Sequence, residues 1–550
     1  MIVQKIQQNN NIQNRQPQFK GIADTGLRFL ATNQGVGANL TDLSFMVIPR
    51  VTTDAKRGPA ACMETARREA SGTANHSLVG VYGMTGGFAA AALMGLGSKY
   101  KINANKIFAA PETLNILAEN KERQVKNNTT QADYLRDTLK NIKAFNPSAA
   151  NADKDGYVKL SEETVEELVT LLDKAIQDGN FDNWKKKDTA NSLHTAMNKI
   201  IADTGAESKY ILESVNKANP MVKGGAKTLT SETSLKTLLE DIYKLSDSFN
   251  KDKVQEAFRE QVRNGKTIKD NAFIKKLTRF SKIRSAAGFG IATGIGMSIQ
   301  PMNIYLTKKK TGSDGFVGVE GRSKDTSSEF KLMKGAAGAG FLGLTLATLK
   351  TASVKGFMEK MAFKGFWPTI PQLKGIYGLT IISRLLATRD KDELRESLTK
   401  DTLGFLSWLV LGDIVNKMTA EGLDKSVMNR TKDVAKKGYF GRIFNSSLKT
   451  RDEVLVETLS QNGIATVKEN GVAKTFKEML KDLDGIKNEQ VKKLAKKKLG
   501  TLNKAQAAGY LFSGLVLGLG IPNLNIYITN TLDKKRKAAK AAEEKQNVAA

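Results

Sequence analysis

Oxygen-bearing groups recur at short intervals in the segment 151–162, NADKDGYVKLSE. Calcium and similar hard cations are held by several oxygen ligands, and a glycine within the loop permits the sharp turn that gathers them around one ion. Gly156 occupies that turn position. The spacing therefore predicts a metal site, with calcium as the cofactor that would fit. Its ligands would be Asn151, Asp153, Asp155, Tyr157 through its carbonyl group, and Glu162.

The segment resembles the calcium-binding loop of EF-hand proteins, which implies that Glu162 is the bidentate ligand. Three features depart from that loop. Asn151 replaces the leading aspartate, Lys159 occupies a ligand position, and Pro147 interrupts the helix that should lead in. The chain also has no second such loop to pair with it. The alternative is a solvated Asp-Gly turn that caps the next helix, and the sequence leaves both interpretations open.

Residues suited to catalysis are scarce. Cys62 is the only cysteine, and His76 and His194 are the only histidines, so a disulfide framework and a Cys-based zinc cluster are excluded. The GKT tripeptide at 265–267 is preceded by Glu260 at the position where a P-loop requires glycine. Because no nucleophile–base pair, acid–base pair or metal cluster can be named, we predict that the protein is not an enzyme.

Two charged residues interrupt apolar stretches of the second half. Arg384 lies within 366–388, and Asp413 lies within 402–416. An ionisable group at membrane depth is costly and is a functional hypothesis by default. The two side chains could pair with each other across a hairpin. If both segments lie at the membrane surface, however, neither charge is unusual.

Three uncharged runs are long enough to cross a bilayer, whose hydrocarbon core of ~30 Å needs a helix of about 20 apolar residues. These runs are 70–98, 285–307 and 505–532, with 29, 23 and 28 residues. Weaker apolar segments lie at 335–349, 366–388 and 402–416. We therefore predict an all-α fold: a multi-pass helical membrane protein with four to six spans and a helical extramembrane domain.

Glycine inside the long runs favours a membrane over a soluble core. The chain has 47 glycines, and each one inside a soluble helix costs about 1 kcal/mol relative to alanine. In lipid the helix is enforced, and small residues let helices approach closely. We predict helix packing, and a homo-oligomer, through pairs of glycines spaced by four. The pairs are Gly83 and Gly87, Gly290 and Gly294, and Gly514 and Gly518. The alternative is a glycine-rich helix buried in a soluble core.

One stretch occurs twice. The segments MSIQPMNIYLTKKK (297–310) and LGIPNLNIYITNTLDKKRK (519–537) both place Pro and Asn before a tyrosine, a threonine and a lysine cluster. A late proline, an interfacial tyrosine and lysines on anionic lipid are typical of a helix leaving a membrane. We predict a membrane-exit repeat; a duplicated helical unit is the sharper hypothesis. Its residues are Asn303, Tyr305, Thr307, Asn525, Tyr527 and Thr529.

The charge of the chain favours an anionic partner. The 85 Lys and Arg residues exceed the 56 Asp and Glu residues and give +29. We predict an anionic lipid membrane as the partner. A nucleic-acid partner would explain the charge but not the uncharged runs. The polar start of the chain, 1–21, has no apolar core of a signal peptide, so we predict a membrane location without a cleavable signal.

The predicted organisation alternates membrane and polar segments. In order, it comprises a polar Gln/Asn-rich tail (1–45), a basic pre-membrane segment (46–75), a transmembrane helix (76–98), a helical extramembrane domain (111–280), a transmembrane helix (285–307), a Gly-rich loop (308–334), three weaker membrane-embedded or interfacial helices (335–420), a basic helical extramembrane segment (421–504), a transmembrane helix (505–532) and a basic tail (533–550).

Two functions compete within this organisation. A non-enzymatic scaffold or membrane-organising protein fits the small-residue faces and the basic flanks. The alternative is a transporter or channel built on a duplicated helical unit. A second alternative is a soluble, basic protein associated with nucleic acid.

Overall fold

The computed structural model describes residues 19–32, 34–214, 230–317, 323–363 and 368–549. It is 75% helical, which confirms the predicted predominance of helix. The Gln/Asn-rich stretch 1–18 of the predicted tail lies outside the described residues. The described residues of the rest of that tail are helical, and so is the basic segment that follows it apart from Gly58. The first five helices are α1 Phe19–Thr32, α2 Gln34–Asp42, α3 Ile48–Asp54, α4 Pro59–Ser77 and α5 Val79–Leu93.

A polar block follows, and it contains a sheet that the all-helical prediction missed. Four short antiparallel strands pair in the order β2-β1-β3-β4. Strands of three or four residues are too short to display an alternating pattern in the sequence. The elements are α6 Leu96–Tyr100, α7 Pro111–Asn127, α8 Gln131–Leu139, β1 Ile142–Phe145, β2 Tyr157–Lys159, α9 Glu162–Asp178, α10 Phe181–Trp184, α11 Leu193–Thr204, β3 Tyr210–Glu213, β4 Thr230–Thr233, α12 Leu235–Phe249 and α13 Asp252–Arg263.

The apolar helices of the second half are longer or more numerous than predicted. The predicted span 285–307 lies inside one 40-residue helix, which continues through Lys308, Lys309 and Lys310 to Thr311 in the predicted loop. The hairpin loop expected between Arg384 and Asp413 is itself helical, because Asp390 caps a helix there by accepting from the Glu393 amide. The helices are α14 Ala272–Thr311, α15 Ser328–Thr348, α16 Val354–Lys360, α17 Ile370–Ala387, α18 Lys391–Leu406 and α19 Gly412–Leu423.

The last part contains a small hairpin and one very long helix. The hairpin pairs Met428–Asn429 with Ser447–Leu448, so the predicted segment 421–504 is not purely helical. A π-helical turn, Gly514–Gly520, joins the last two helices, so the predicted span 505–532 has no boundary at either end. The elements are β5 Met428–Asn429, α20 Lys432–Ala435, α21 Tyr439–Asn445, β6 Ser447–Leu448, α22 Arg451–Gln461, α23 Phe476–Gly485, α24 Glu489–Ser513 and α25 Ile521–Ala549.

The two polar blocks form one globular body. Buried residues of both blocks belong to a single hydrophobic core, in which Leu168 and Leu239 join Val454 and Leu459. Helix α9, within the predicted helical domain 111–280, buries one face, on which Val165, Leu168 and Leu172 lie at helical spacing. The chain leaves this body through the apolar helices and returns to it, so the body lies at one end of the helical bundle.

The described residues support only part of the predicted membrane pattern. Within the described residues, one helical stretch, Glu489–Ala539, is long and apolar enough to cross a membrane. The predicted span 76–98 is broken at Leu78 and again after Leu93, which leaves the shorter apolar helix α5. In α14 the polar Gln300 and Asn303 are buried against neighbouring helices, and they lower the mean hydropathy of the predicted span 285–307.

Candidate functional site: matched helix ends and a buried charge cluster

The end of α14 contacts α4 through the first copy of the repeated motif. Asn303 and Thr307 are buried, and both accept hydrogen bonds from the guanidinium of Arg67. The Nε–Oδ1 distance to Asn303 is 3.2 Å, and the Nη2–Oγ1 distance to Thr307 is 2.9 Å. Tyr305, which lies midway between Asn303 and Thr307 in the sequence, points outward and is 61% exposed.

The second copy does the same work on α25. Thr529 accepts from Arg395 Nη2 over 2.5 Å, and Asn525 donates to the Glu396 carbonyl over 3.0 Å. Both repeat residues are buried, and Tyr527 is 70% exposed. In each half, therefore, an Asn–Thr pair on a long helix docks on an arginine-bearing helix, while the tyrosine between them faces away. The first pair lies in the last turns of α14, and the second lies in the first turns of α25, which continues to Ala549. We call these two positions the matched ends, since each follows the apolar stretch of its long helix.

On the N-terminal side of each pair, the same helical stretches contact the globular body. Arg284 of α14 donates to the Ile107 carbonyl over 2.7 Å, and Gln506 of α24 accepts from Arg451 over 2.8 Å. Nineteen residues separate Arg284 from Asn303, and nineteen separate Gln506 from Asn525. At an α-helical rise of ~1.5 Å per residue, the α14 interval spans about 29 Å. The second interval contains the π-helical turn Gly514–Gly520, so the same rise gives an upper bound for its length.

A cluster of buried charges lies beside the matched ends, at the end of the bundle away from the globular body. Arg384 of α17 donates to Asp401 of α18 over 2.6 Å and lies 3.9 Å from Glu69 of α4. Glu69 also accepts from Arg50 of α3 over 3.0 Å and from Arg68. All of these side chains are at most 9% exposed. Four elements thus share one charge network.

A second group extends the cluster along α18. Arg389 donates to Glu393 and to Glu64 of α4, with closest distances of 2.9 and 2.7 Å. All three side chains are nearly fully buried. Removing one member of such a group leaves an uncompensated buried charge, which costs about 3–5 kcal/mol. The cluster therefore fixes α4, α17 and α18 in one arrangement.

Two further arginines tie the cluster to the ends of the chain. Arg57 donates to both carboxylate oxygens of Glu396, the closer at 2.7 Å. Burial lowers the pKa of Arg57, but the hydrogen bond and the charge of Glu396 outweigh this and raise it. Arg536 of α25 donates to Asp392, and this hydrogen bond raises the pKa of Arg536. Both guanidiniums are therefore charged throughout the physiological range.

The predicted pairing of Arg384 with Asp413 is wrong. Arg384 pairs with Asp401, whereas Asp413 pairs with Lys417 on its own helix over 2.8 Å and is 62% exposed. A hairpin was expected between Arg384 and Asp413 with the stretch 388–401 as its loop, so the carboxylates there were overlooked. A signal was present, because Arg389 and Glu393 are spaced by four, as ion pairs on a helix are. Glu64, Arg68 and Glu69 lie in the segment 46–75, which was predicted only as a basic pre-membrane segment.

The EF-hand-like segment is the turn of a β-hairpin. It joins β1 to β2, so a strand rather than a helix leads into it. The Asp153 carboxylate accepts from the backbone amides of Asp155 and Tyr157 and lies 3.8 Å from the Lys143 ammonium. Ser161 caps α9 by accepting from the Thr164 amide. These contacts account for the Asp-Gly turn without a cation.

The ligands proposed for that cation are only partly gathered. Glu162 is the first residue of α9 and is exposed, as are Asn151, Asp153 and Asp155. Among the described residues, no group of three or more His, Cys, Asp or Glu side chains is placed to hold a metal ion.

Comparisons of the chain with protein-family models, with curated proteins and with solved structures find no match.

Proposed function

We propose that the chain is a multi-pass integral membrane protein that acts as a non-enzymatic membrane scaffold. In this proposal the apolar helices cross the bilayer, the globular body lies on one side, and the charge cluster closes the bundle at the other. The basic flanks of the helices then lie on anionic lipid.

The observation that carries the proposal is the surface of the two long helices between their fixed ends. The α14 interval of about 29 Å matches the ~30 Å hydrocarbon core of a bilayer, and the second interval is at most that long. Large apolar side chains are exposed within both intervals, where a soluble protein would place polar ones. On α14 they are Ile291, Ile295, Met297 and Met302; on α24, α25 and the turn between them they are Leu511, Leu515, Leu519 and Leu524.

The first polar block of the globular body, which lies between α5 and α14, has the opposite surface. Among its described residues between Leu93 and Ile283, no large apolar side chain is exposed, whereas those two residues are. A chain that buries its apolar residues over nearly 190 positions and then exposes them in both flanking helices has two surfaces for two solvents. This contrast favours insertion over a soluble core of glycine-rich helices.

Scaffolding is favoured by how glycine is used inside and outside the bundle. At Gly288 an added Cβ would lie 2.7 Å from the Gly83 Cα, so α14 and α5 are in backbone contact. Gly290 and Gly294, on another face of α14, have nothing within 4 Å of such a Cβ. The inward glycines close the bundle, and the outward ones leave a smooth face through which a second copy could pack.

A transporter built on a duplicated unit is the second candidate. It is supported by the similar contacts of the two repeat copies. Arg67 donates to Asn303 on the first long helix, and Arg395 donates to Thr529 on the second. Asp401 also has a buried oxygen, Oδ2, without a hydrogen-bond partner among the described residues. Loss of flux in Asp401→Asn proteoliposomes, with insertion retained, would favour this candidate over a scaffold.

The proposal is tested by membrane fractionation of the full chain. Membranes are washed with high salt, then with alkaline carbonate, and finally dissolved in detergent. The protein should stay with the membranes until the detergent step. Release by salt or carbonate would mean that the apolar helices are not inserted, and the proposal would fail.

A further inference from the structure

A basic pocket opens on the globular body near the point where α19 and α24 enter it. The cavity has a volume of about 620 Å³ and is bounded by the end of α19, the β5–β6 hairpin, α21 and α24. Two carboxylates, Glu421 and Glu457, also line it. Its five cationic side chains are Lys425, Arg430, Arg442, Lys449 and Lys498.

The buried Glu421 forms ion pairs with two of these cationic side chains. Its side chain is 2% exposed and contacts Arg430 Nη2 at 2.7 Å and Arg442 Nε at 3.0 Å. Burial raises the pKa of Glu421, but hydrogen bonds from the two arginines outweigh burial and lower it. Glu421 is therefore ionised at neutral pH and orients both guanidiniums, which suits them to bind an oxyanion with little loss of side-chain freedom.

The pocket keeps a positive balance after its internal ion pairs are counted. Lys449 pairs with Glu457 over 3.2 Å. In the described part of the chain, neither Lys425 nor Lys498 has a carboxylate within ion-pair distance of its ammonium, although both line the cavity. Five cations thus face two carboxylates. Such a pocket attracts an anion, and flexible lysines beside fixed arginines are typical of sites for phosphate groups.

An apolar edge adjoins the pocket. Helix α21 is anchored by the fully buried Ile443 but exposes Tyr439, Phe440 and Phe444 to 39%, 64% and 58%. Aromatic rings of this kind are enriched at the level of lipid headgroups. Lys498 precedes Gln506 by about two turns of α24, which places it just on the aqueous side of the proposed bilayer boundary.

We propose that this pocket binds the phosphate group of an anionic ligand, supplied by a phospholipid headgroup. The arginines fixed by Glu421 would bind the phosphate oxygens, Lys425 and Lys498 would neutralise the remaining charge, and the α21 aromatics would lie against the acyl-chain region. The lipid source rests on the proposed function, whereas recognition of phosphate by these residues does not.

The test compares the full chain in detergent with the double variant Lys425→Gln/Lys498→Gln. The matched control is Lys186→Gln/Lys187→Gln, which removes the same charge from an exposed stretch of the globular body far along the chain from the pocket. The probes are phosphatidylglycerol, phosphatidylcholine and inorganic phosphate, each titrated while bound lipid is counted by native mass spectrometry and the melting temperature is followed. The pocket variant should bind phosphatidylglycerol roughly thirty-fold more weakly, at about five-fold per lysine near the headgroups.

The three probes separate the sources of the phosphate. Stabilisation of the parent chain and of the control by phosphatidylglycerol alone supports the headgroup. Stabilisation by inorganic phosphate as well, lost in the pocket variant, supports the phosphate site with a soluble ligand. Equal binding by the parent, the control and the pocket variant overturns the proposal. Release of the chain by carbonate would remove the lipid source but would leave phosphate binding to be measured in solution.

Discussion

Arg384 and Asp401 form an ion pair of 2.6 Å between α17 and α18, with side chains that are only 4% and 0% exposed. The pair joins helices whose connection is only a few residues long, and Glu69 and Arg50 extend it to α4 and α3. Charges buried this completely are expensive to separate, because each partner has lost its water. The charge cluster therefore holds α3, α4, α17 and α18 together at one end of the bundle.

Replacing Arg384 should destabilise this end of the bundle. Arg384→Met leaves Asp401 buried without its cation, so the free energy of unfolding should fall by about 3–5 kcal/mol. The double variant Arg384→Met/Asp401→Leu removes both charges and should recover most of that loss. Chemical denaturation of the purified protein in detergent measures both changes.

Asp413→Asn is the matched control, because it removes an exposed carboxylate whose ion pair is with Lys417 on its own helix. Its effect should stay within about 0.5 kcal/mol. If Asp413→Asn were as damaging as Arg384→Met, or if the double variant were the least stable of all, the assigned pairing would be incorrect.

The two matched helix ends should respond alike to mutation. A double-mutant cycle with Arg67→Met and Thr307→Val should give a coupling of about 0.5–3 kcal/mol, as should one with Arg395→Met and Thr529→Val. Each pair contains one charged donor and one buried hydroxyl acceptor. A coupling found in one half and absent from the other would contradict the equivalence of the two ends. Thermal unfolding in detergent supplies the free energies.

Glycines on two faces of α14 should behave differently. Gly288→Leu would drive a side chain into the Gly83 backbone and the Phe363 ring and should unfold the bundle. Gly290→Leu/Gly294→Leu meets open space, so the monomer should fold with an unchanged melting temperature while self-association weakens. Light scattering after size-exclusion chromatography measures the oligomer. A monomeric parent chain would refute self-association through this face.

The globular body should lose stability as the pH rises. Burial, followed by the nearby charge of Asp452, raises the pKa of Glu207 from 4.5 to about 8 in the folded state. Between these values the folded chain holds a proton that the unfolded chain releases, so stability falls from pH 4.5 to pH 8 and is flat outside that window for this group. Glu207→Gln keeps an acceptor for the Thr450 hydroxyl and should remove this fall.

The comparison is best made as the difference between variant and parent at each pH, which cancels other titrations. His194 contributes the opposite trend, because burial lowers its pKa to about 4 and its stabilisation is lost as the pH falls. Glu207→Gln and the parent should have equal melting temperatures near pH 4.5, and the variant should be the more stable at pH 8. Glu213→Gln, on the neighbouring strand β3, is the control. A constant difference would rule out titration of Glu207.

Sequence patterns predicted the elements that are set by local periodicity. Helix α9 lies within the predicted helical domain 111–280 and carries such a pattern, because apolar residues at helical spacing follow the capping Ser161. The repeat is also a local pattern, an order of residue types within one segment. Its members share burial: Asn303 and Asn525 are buried, and Tyr305 and Tyr527 are exposed.

Contacts between distant segments could not be predicted. Arg389 meets Glu64 from 325 positions away, and no periodic pattern encodes such a pairing. The short strands β1 to β4 were missed because their pairing is decided by tertiary context. Position 384 was recognised as unusual, but its partner was assigned to Asp413 by proximity in sequence, and the helical segment carrying Asp401 was taken for a loop.

Lipid exposure of α14 and of the last long helix tests the central claim most directly. Single cysteines are introduced by Ile295→Cys and Leu515→Cys in a Cys62→Ser chain, with Lys187→Cys as the aqueous control, and each is treated in native membranes with a membrane-impermeant maleimide. We predict that positions 295 and 515 stay unlabelled on both sides of the membrane until detergent or denaturant is added, while position 187 is labelled once the reagent reaches its side. Rapid labelling at 295 and 515 in intact or permeabilised membranes would place these faces in water and contradict a membrane-spanning bundle.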